Sequence, residues 1–198
     1  MRNRLPSATA ADGLSPYCRI ENFLRPEECR GLLALIRDSR AQFEASTTTT
    51  GAKNYRKSAV LYWPPKPALF IAKLIKSCVP FVARSLGQKG FPVRKIEIQV
   101  TAHNDGDFFN VHSDNGDRIT RRRVITFVYY LHGAPRRFTG GELKLFTRPG
   151  RKSPVMVAPA NNTILFFRSD REHAVRRTFC RSGKFEDSRF TINGWICR

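Results

Sequence analysis

His112-Ser113-Asp114 is where residue type and spacing in this chain most directly suggest chemistry. If Phe108 to Asn115 is extended, the imidazole and the carboxylate share one face, because strand side chains alternate with period two. One nitrogen and one oxygen so placed can grip a divalent cation. The chain has 4 histidines, so a third ligand has few sources: His103, His132 or His173. His132 follows Leu131 at the end of an apolar run and reads as a loop residue. His173 comes shortly after a strand ending at Phe167, far enough along for several strands to return the chain beside Asp114. It is therefore the chosen third ligand.

Two histidines and one carboxylate on one face of an octahedral metal leave three positions open. Iron(II) uses such a set to hold a cosubstrate next to O2. A cosubstrate such as 2-oxoglutarate chelates by its keto acid end, and its far carboxylate then needs a buried cation and a hydroxyl. Arg189 opens the final strand and can hold a carboxylate bidentately, and Thr191 adds a hydroxyl on the same face. The bland alternatives stay open on these residues alone. His112 could be a satisfied polar side chain near a turn, and Arg189 is one of 35 basic residues.

The elements that would position these groups fall into two parts. Residues 1–15 are small and polar and read as a loose tail. A short strand at Tyr17-Cys18-Arg19-Ile20 precedes a helix that opens at Pro26-Glu27-Glu28 and runs to about Phe43, with Leu32, Leu35, Ile36 and Phe43 on one face. Residues 44–58 are a polar loop containing Thr47 to Gly51, either a linker or a lid over a substrate. Ser58 to Trp63 reads as a strand. A second helix spans about Pro67 to Leu86, with Phe70, Leu74, Cys78 and Phe81 as its stripe and Pro80 expected to kink or interrupt it.

From Pro92 onward strands dominate. Val93 to Thr101 alternates, with Ile96, Ile98 and Val100 inward and Lys95, Glu97 and Gln99 outward. Further strands are expected at Val124 to Leu131, at Glu142 to Phe146 after the Gly140-Gly141 turn, at Thr163 to Phe167 and at Arg189 to Ile196. Short strands with regular turn signals predict a sandwich or barrel. The fold class is thus mainly β with N-terminal helices. The chain reads as a single domain, 1–198, made of the tail, helical support over 16–91 and a β core over 92–198.

Composition excludes several classes. At 41% hydrophobic and 26% charged, the chain is globular rather than disordered. No apolar run reaches the roughly 20 residues needed to span a bilayer, and no signal-peptide core follows Met1, so no membrane and a cytoplasmic location are expected. The 5 cysteines are scattered and odd in number, which argues against a disulfide framework and against a cysteine-rich zinc site. The net charge of +19 would attract an anionic partner, or else is a solvated basic surface.

From about Val93 to Trp195 the chain resembles the 2-oxoglutarate- and Fe(II)-dependent dioxygenases of the prolyl 4-hydroxylase-like superfamily. The resemblance rests on His103-Asn104-Asp105-Gly106-Asp107-Phe108-Phe109 leading to His112-Ser113-Asp114-Asn115, on Thr126 to Leu131, on Gly140-Gly141-Glu142-Leu143, on Phe166 through Val175, and on Arg189 to Trp195. It implies a double-stranded β-helix, a cupin-like jelly-roll barrel buttressed by the N-terminal helices. It implies Fe(II) held by His112, Asp114 and His173. It implies 2-oxoglutarate held by Arg189, with Tyr130 bonding the same carboxylate, O2 as oxidant, and room for ascorbate. His103 stands where relatives often carry a tyrosine facing the cosubstrate, and an imidazole can donate to the same oxygen. The interval from His173 to Arg189 is longer than in many relatives, which makes Arg176 to Ser188 an extended turn near the mouth of the site.

The activity so implied is hydroxylation of an unactivated C–H bond in a peptidyl residue, a free amino acid or a small molecule, with release of succinate and CO2. Related halogenases lack the carboxylate that Asp114 supplies. A nucleic-acid demethylase is the alternative suggested by charge, but that branch carries a second arginine where this chain has Trp195. A non-catalytic basic binding module on the same barrel is the remaining reading.

Overall fold

In the computed structural model, described for residues 15–46, 54–62, 65–147 and 154–198, the chain forms two large antiparallel sheets and two α-helices. The strands, in order, are β1 (Cys18–Glu21), β2 (Glu44–Ala45), β3 (Arg56–Lys57), β4 (Ala59–Leu61), β5 (Lys95–His103), β6 (Phe108–His112) and β7 (Arg123–Leu131). They continue with β8 (Thr139–Gly140), β9 (Leu143–Phe146), β10 (Pro154–Val157), β11 (Thr163–Arg168), β12 (His173–Val175), β13 (Thr178–Phe179) and β14 (Arg189–Cys197). Helix α1 is Pro26–Asp38 and α2 is Pro65–Ser85. The larger sheet runs β1-β11-β7-β14-β5-β4-β2, the smaller β10-β9-β12-β6-β3, and β13 pairs with β8 alone. The expected tail and threonine run, and the end of the strand expected at Trp63, lie largely outside the described residues.

The centre of the larger sheet is β7-β14-β5, and its two faces differ in chemistry. Phe127, Tyr129 and Leu131 of β7, Phe190, Ile192 and Ile196 of β14, and Val100 and Ala102 of β5 pack with both helices in the main core. The intervening residues turn the other way. Gln99, Thr101 and His103, Thr126 and Val128, and Arg189, Thr191, Asn193 and Trp195 line a cavity between the sheets. Period-two alternation therefore puts oil against the helices and polar groups inside the molecule. Gln99 was expected to face outward; it is buried, because the polar face of β5 is the cavity face.

Three expectations about the helices need correction. α1 stops at Asp38 and a separate 3-10 turn covers Arg40–Gln42, so Phe43 is not part of a continuous helical stripe. Its buried face is Cys29, Leu33 and Ile36, while Leu35 is exposed. In α2 the buried residues are Ile71, Ile75, Cys78, Val79, Val82 and Ala83, and Phe70 is exposed. Both apolar stripes were drawn about one residue off, and with so many apolar side chains several faces satisfy the same spacing. Pro80 does not interrupt α2, which runs on to Ser85.

Asn162 ties the helical layer to the sheet. At φ +55° its side chain accepts from Leu24 N (2.9 Å) and Tyr129 Oη (2.8 Å) and donates to Leu24 O (2.8 Å). On β14, Gly194 opposes Ile98 and Phe127, and a Cβ there would overlap the Glu97 carbonyl oxygen. Gly194→Ala is expected to lower Tm by roughly 5–10 °C in calorimetry, since backbone must shift to admit a methyl. Gly90→Ala, with nothing within 4 Å of the new atom, serves as the neutral control.

Candidate metal and cosubstrate site

The strand β6 ends at His112, and Asp114 lies two residues beyond it. The pair was expected to share one face of a strand, but the strand stops at His112 and alternation does not align it with Asp114. Tertiary contacts hold it: Asp114 N donates to Ser169 O (3.0 Å), and Thr126 Oγ1 donates to Asp114 Oδ2 (2.7 Å). β12 returns beside β6, pairing His173 directly with His112. His112, Asp114 and His173 each offer one ligand atom, and these atoms lie within 4.8 Å of one another. Among the described residues this is the cluster able to hold a metal ion.

Both imidazoles are oriented from behind. His112 Nδ1 donates to Asn110 O (2.8 Å) and His173 Nδ1 to Arg171 O (3.0 Å). A carbonyl only accepts, so Nδ1 carries the proton and Nε2 is left as the free lone pair. The two Nε2 atoms stand 3.7 and 3.5 Å from the Asp114 oxygens. Burial, reinforced by His173, pushes the His112 pKa down to about 3, so the ring is neutral and ready to ligate. Burial alone would raise the Asp114 pKa, but His173, His112 and the Thr126 hydroxyl outweigh it and the carboxyl stays below its usual range. His112 also stacks on Phe109 at 3.6 Å between ring centroids.

A second cluster lies along the same cavity. Arg189 is fully buried, its guanidinium 4.9 Å from the Tyr130 ring centroid, and its Nη1 makes a long bond (3.4 Å) to His103 Nδ1. Arginine only donates, so His103 Nδ1 accepts and its proton sits on Nε2. Burial first, then Arg189 and Arg56, depress the His103 pKa and keep it neutral. Burial raises the Tyr130 pKa and keeps the phenol a donor. Arg189 Nε, His103 Nε2 and Tyr130 Oη are all buried without a hydrogen-bond partner. Orphaned donors around one cation are the complement of a carboxylate.

The space for this arginine depends on a turn. Gly141, at φ +70°, approaches so closely that a Cβ would lie 2.6 Å from Arg189 Cδ. Gly140, at φ +71°, lies against the Arg177 carbonyl where β8 meets β13. Of the residues expected at the site, His112, Asp114, His173, His103, Arg189 and Thr191 line the cavity, and Tyr130 supports Arg189 from behind. His132 is elsewhere, bonded to Gly133 O and edge-on to Phe138. Sequence reasoning missed Arg56, Gln99, Thr101, Asn193 and Trp195, although the alternation of β5 and β14 could have named the last four.

An inter-sheet cavity with two histidines, a carboxylate and a buried cation defines a class of metal-dependent oxygenase folds, and comparison with known proteins agrees. The chain belongs to the 2OG-Fe(II) oxygenase superfamily, whose family model matches residues 98–197. It is 40% identical, over 189 residues, to a PKHD-type hydroxylase of Synechocystis, itself uncharacterised; the match covers 91% of this chain and 62% of that protein. The fold is similar to that of a Pseudomonas putida prolyl-4-hydroxylase, with TM-score 0.70 and 21% identity over 92% of this chain and 93% of that one. It is also similar to a Trichoplax adhaerens prolyl hydroxylase solved with a hypoxia inducible factor peptide, with TM-score 0.68 and 20% identity over 92% and 83% of the chains. The cofactors of this family, Fe(II) and 2-oxoglutarate, suit the two donor sets: nitrogen and carboxylate ligands at one end, orphaned donors and a guanidinium at the other.

Thr126 is the sole hydroxyl bonded to the Asp114 carboxylate among the described residues. Thr126→Val is expected to weaken Co(II) binding about ten-fold, read by visible absorbance, because such supporting bonds orient a ligand. Unchanged affinity would show that Thr126 does not position the carboxylate.

Proposed function

We propose that the chain is a 2-oxoglutarate-dependent hydroxylase acting on an unactivated C–H bond, built on a jelly-roll barrel that forms one domain. His112, Asp114 and His173 are the iron ligands in this reading, and Arg189 binds the far carboxylate of 2-oxoglutarate with help from Tyr130, His103 and Thr191. The observation that carries it is the pairing, in one cavity, of a compact His-Asp-His cluster with a buried arginine ringed by unpartnered donors.

When bound, iron and 2-oxoglutarate supply the oxidising power: O2 converts the keto acid to succinate and CO2 and delivers one oxygen atom to the substrate. The chain's own residues prepare that step. The Nε2 atoms of His112 and His173 and the Asp114 carboxylate would hold the metal as three ligands and leave its remaining positions to cosubstrate and O2. The Arg189 fork and the Tyr130 and His103 donors would fix the cosubstrate's orientation through its far carboxylate. Val128, Leu143 and Val175 line the same space and exclude water from it. Asp114 occupies the ligand position that related halogenases leave vacant.

The substrate in this reading is a peptidyl residue, an amino acid or a small molecule. The solved relative with a bound peptide supports the peptide option by fold similarity. The demethylase alternative has less support, because Trp195 holds the place of the second arginine and its ring lies under Arg123, 3.5 Å from guanidinium carbon to centroid. All 5 cysteines are free and buried, which supports a reducing compartment and so the cytoplasm. No helix among the described residues is long and apolar enough to cross a membrane.

Purified protein given Fe(II), 2-oxoglutarate and O2 should release succinate, and His112→Ala should abolish the release. Persistence of turnover in that variant would refute the metal assignment. Arg189→Gln should raise the KM for 2-oxoglutarate at least about ten-fold, as loss of a charge-assisted bond predicts, while leaving Co(II) affinity within two-fold. A fall in metal affinity instead would place Arg189 with the metal rather than the cosubstrate.

A further inference from the structure

Arg56 is a second guanidinium in the cavity and has no role in the chemistry above. It lies on β3, the edge strand of the smaller sheet, opposite Phe109. Its guanidinium carbon sits 4.8 Å from the Phe109 ring centroid, and Phe109 in turn stacks on His112. Cation, phenyl and metal-ligand imidazole form one stack, so the guanidinium is held beside the metal end. Nε donates to Ser58 Oγ (3.0 Å), which fixes the plane of the fork. Among the described residues Nη1 and Nη2 donate to nothing, and Arg56 makes no ion pair. Asp114, the one carboxylate whose charge reaches it, is committed to the metal cluster.

Charge balance says what is missing. A divalent ion and Asp114 leave one positive charge, and Arg189 and Arg56 raise it to three. The two carboxylates of 2-oxoglutarate return it to one. In the hydroxylase reading those carboxylates would take Arg189 and the metal as partners, which leaves Arg56 as the surplus cation. A half-buried charge without a counterion is unfavourable, and a planar fork with both outer nitrogens free is shaped for a carboxylate.

We propose that Arg56 is a specificity-determining residue that grips a carboxylate of the substrate, so that the substrate is an organic acid whose target C–H bond lies a short arm from its anionic group. This rests on the hydroxylase reading and narrows its substrate class to acids. The +19 charge of the chain favours the approach of such a molecule.

The test is binding rather than turnover. N-acetyl amino acids are titrated by calorimetry, as free acids and as matching amides, into protein loaded with Mn(II) and 2-oxoglutarate in the absence of O2. The expected result is that at least one acid binds about ten-fold or more tighter than its amide. Arg56→Gln should erase that preference and keep 2-oxoglutarate affinity within two-fold, while Arg56→Lys keeps part of the preference. Equal binding of acids and amides by the wild-type protein overturns the proposal, as does a preference that survives in Arg56→Gln. Loss of 2-oxoglutarate affinity in Arg56→Gln would assign the residue to the cosubstrate and also overturn it. Failure of the wild-type protein to bind Mn(II) and 2-oxoglutarate at all would instead sink the hydroxylase reading beneath it.

Discussion

The buried carboxylate of Asp114 is the constraint on which the rest of the site depends. A carboxylate removed from water needs a compensating positive charge, and its nearest neighbours are the imidazoles of His112 and His173, the first of them kept neutral by burial. Each imidazole donates from Nδ1 to a backbone carbonyl behind it, which turns Nε2 toward the carboxylate. Two ring nitrogens and a carboxylate oxygen consequently converge within 4.8 Å of one another. That arrangement is unfavourable in an empty protein and favourable around a cation, so the fold stores the preference for a metal in its backbone hydrogen bonds.

The opposite end of the cavity has the inverse problem. Arg189, His103 and Tyr130 present donors without acceptors. The register of β14 against β5 sets Arg189 opposite His103 in the larger sheet, and the pairing of β12 with β6 sets His173 opposite His112 in the smaller one. The Gly140-Gly141 turn then lets β8 press against β13 and leaves room for the Arg189 side chain. A dianionic cosubstrate would complement both, with one carboxylate toward the cluster of ligand atoms and the other toward the donors around Arg189.

Much of this was legible from particular residues. Alternation in Val93 to Thr101 and in Arg189 to Ile196 marked strands with unlike faces, and both strands form in those places. The order of His112, Asp114, His173 and Arg189 along the chain was enough to propose the site. The helical faces were less legible, because α2 carries apolar residues at nearly every turn and periodicity does not choose between Phe70 and Ile71. Gln99 was assigned to solvent because polar residues on a strand usually face water; here they face a cavity. Arg56 had no signal, since one arginine among many on a two-residue strand has no pattern to belong to.

By itself, the sequence determined which ligand types exist and in what order, together with strand periods strong enough to specify two-faced sheets. Those are local properties, carried by side-chain identity and spacing. Only the tertiary structure decided that His173 returns to pair with His112, that Asp114 reaches the cluster from beyond its strand, and that Arg56 stands beside the metal end. Those are long-range facts. They follow from the register between strands far apart in the chain, which the burial of both sheet faces selects and no local pattern encodes.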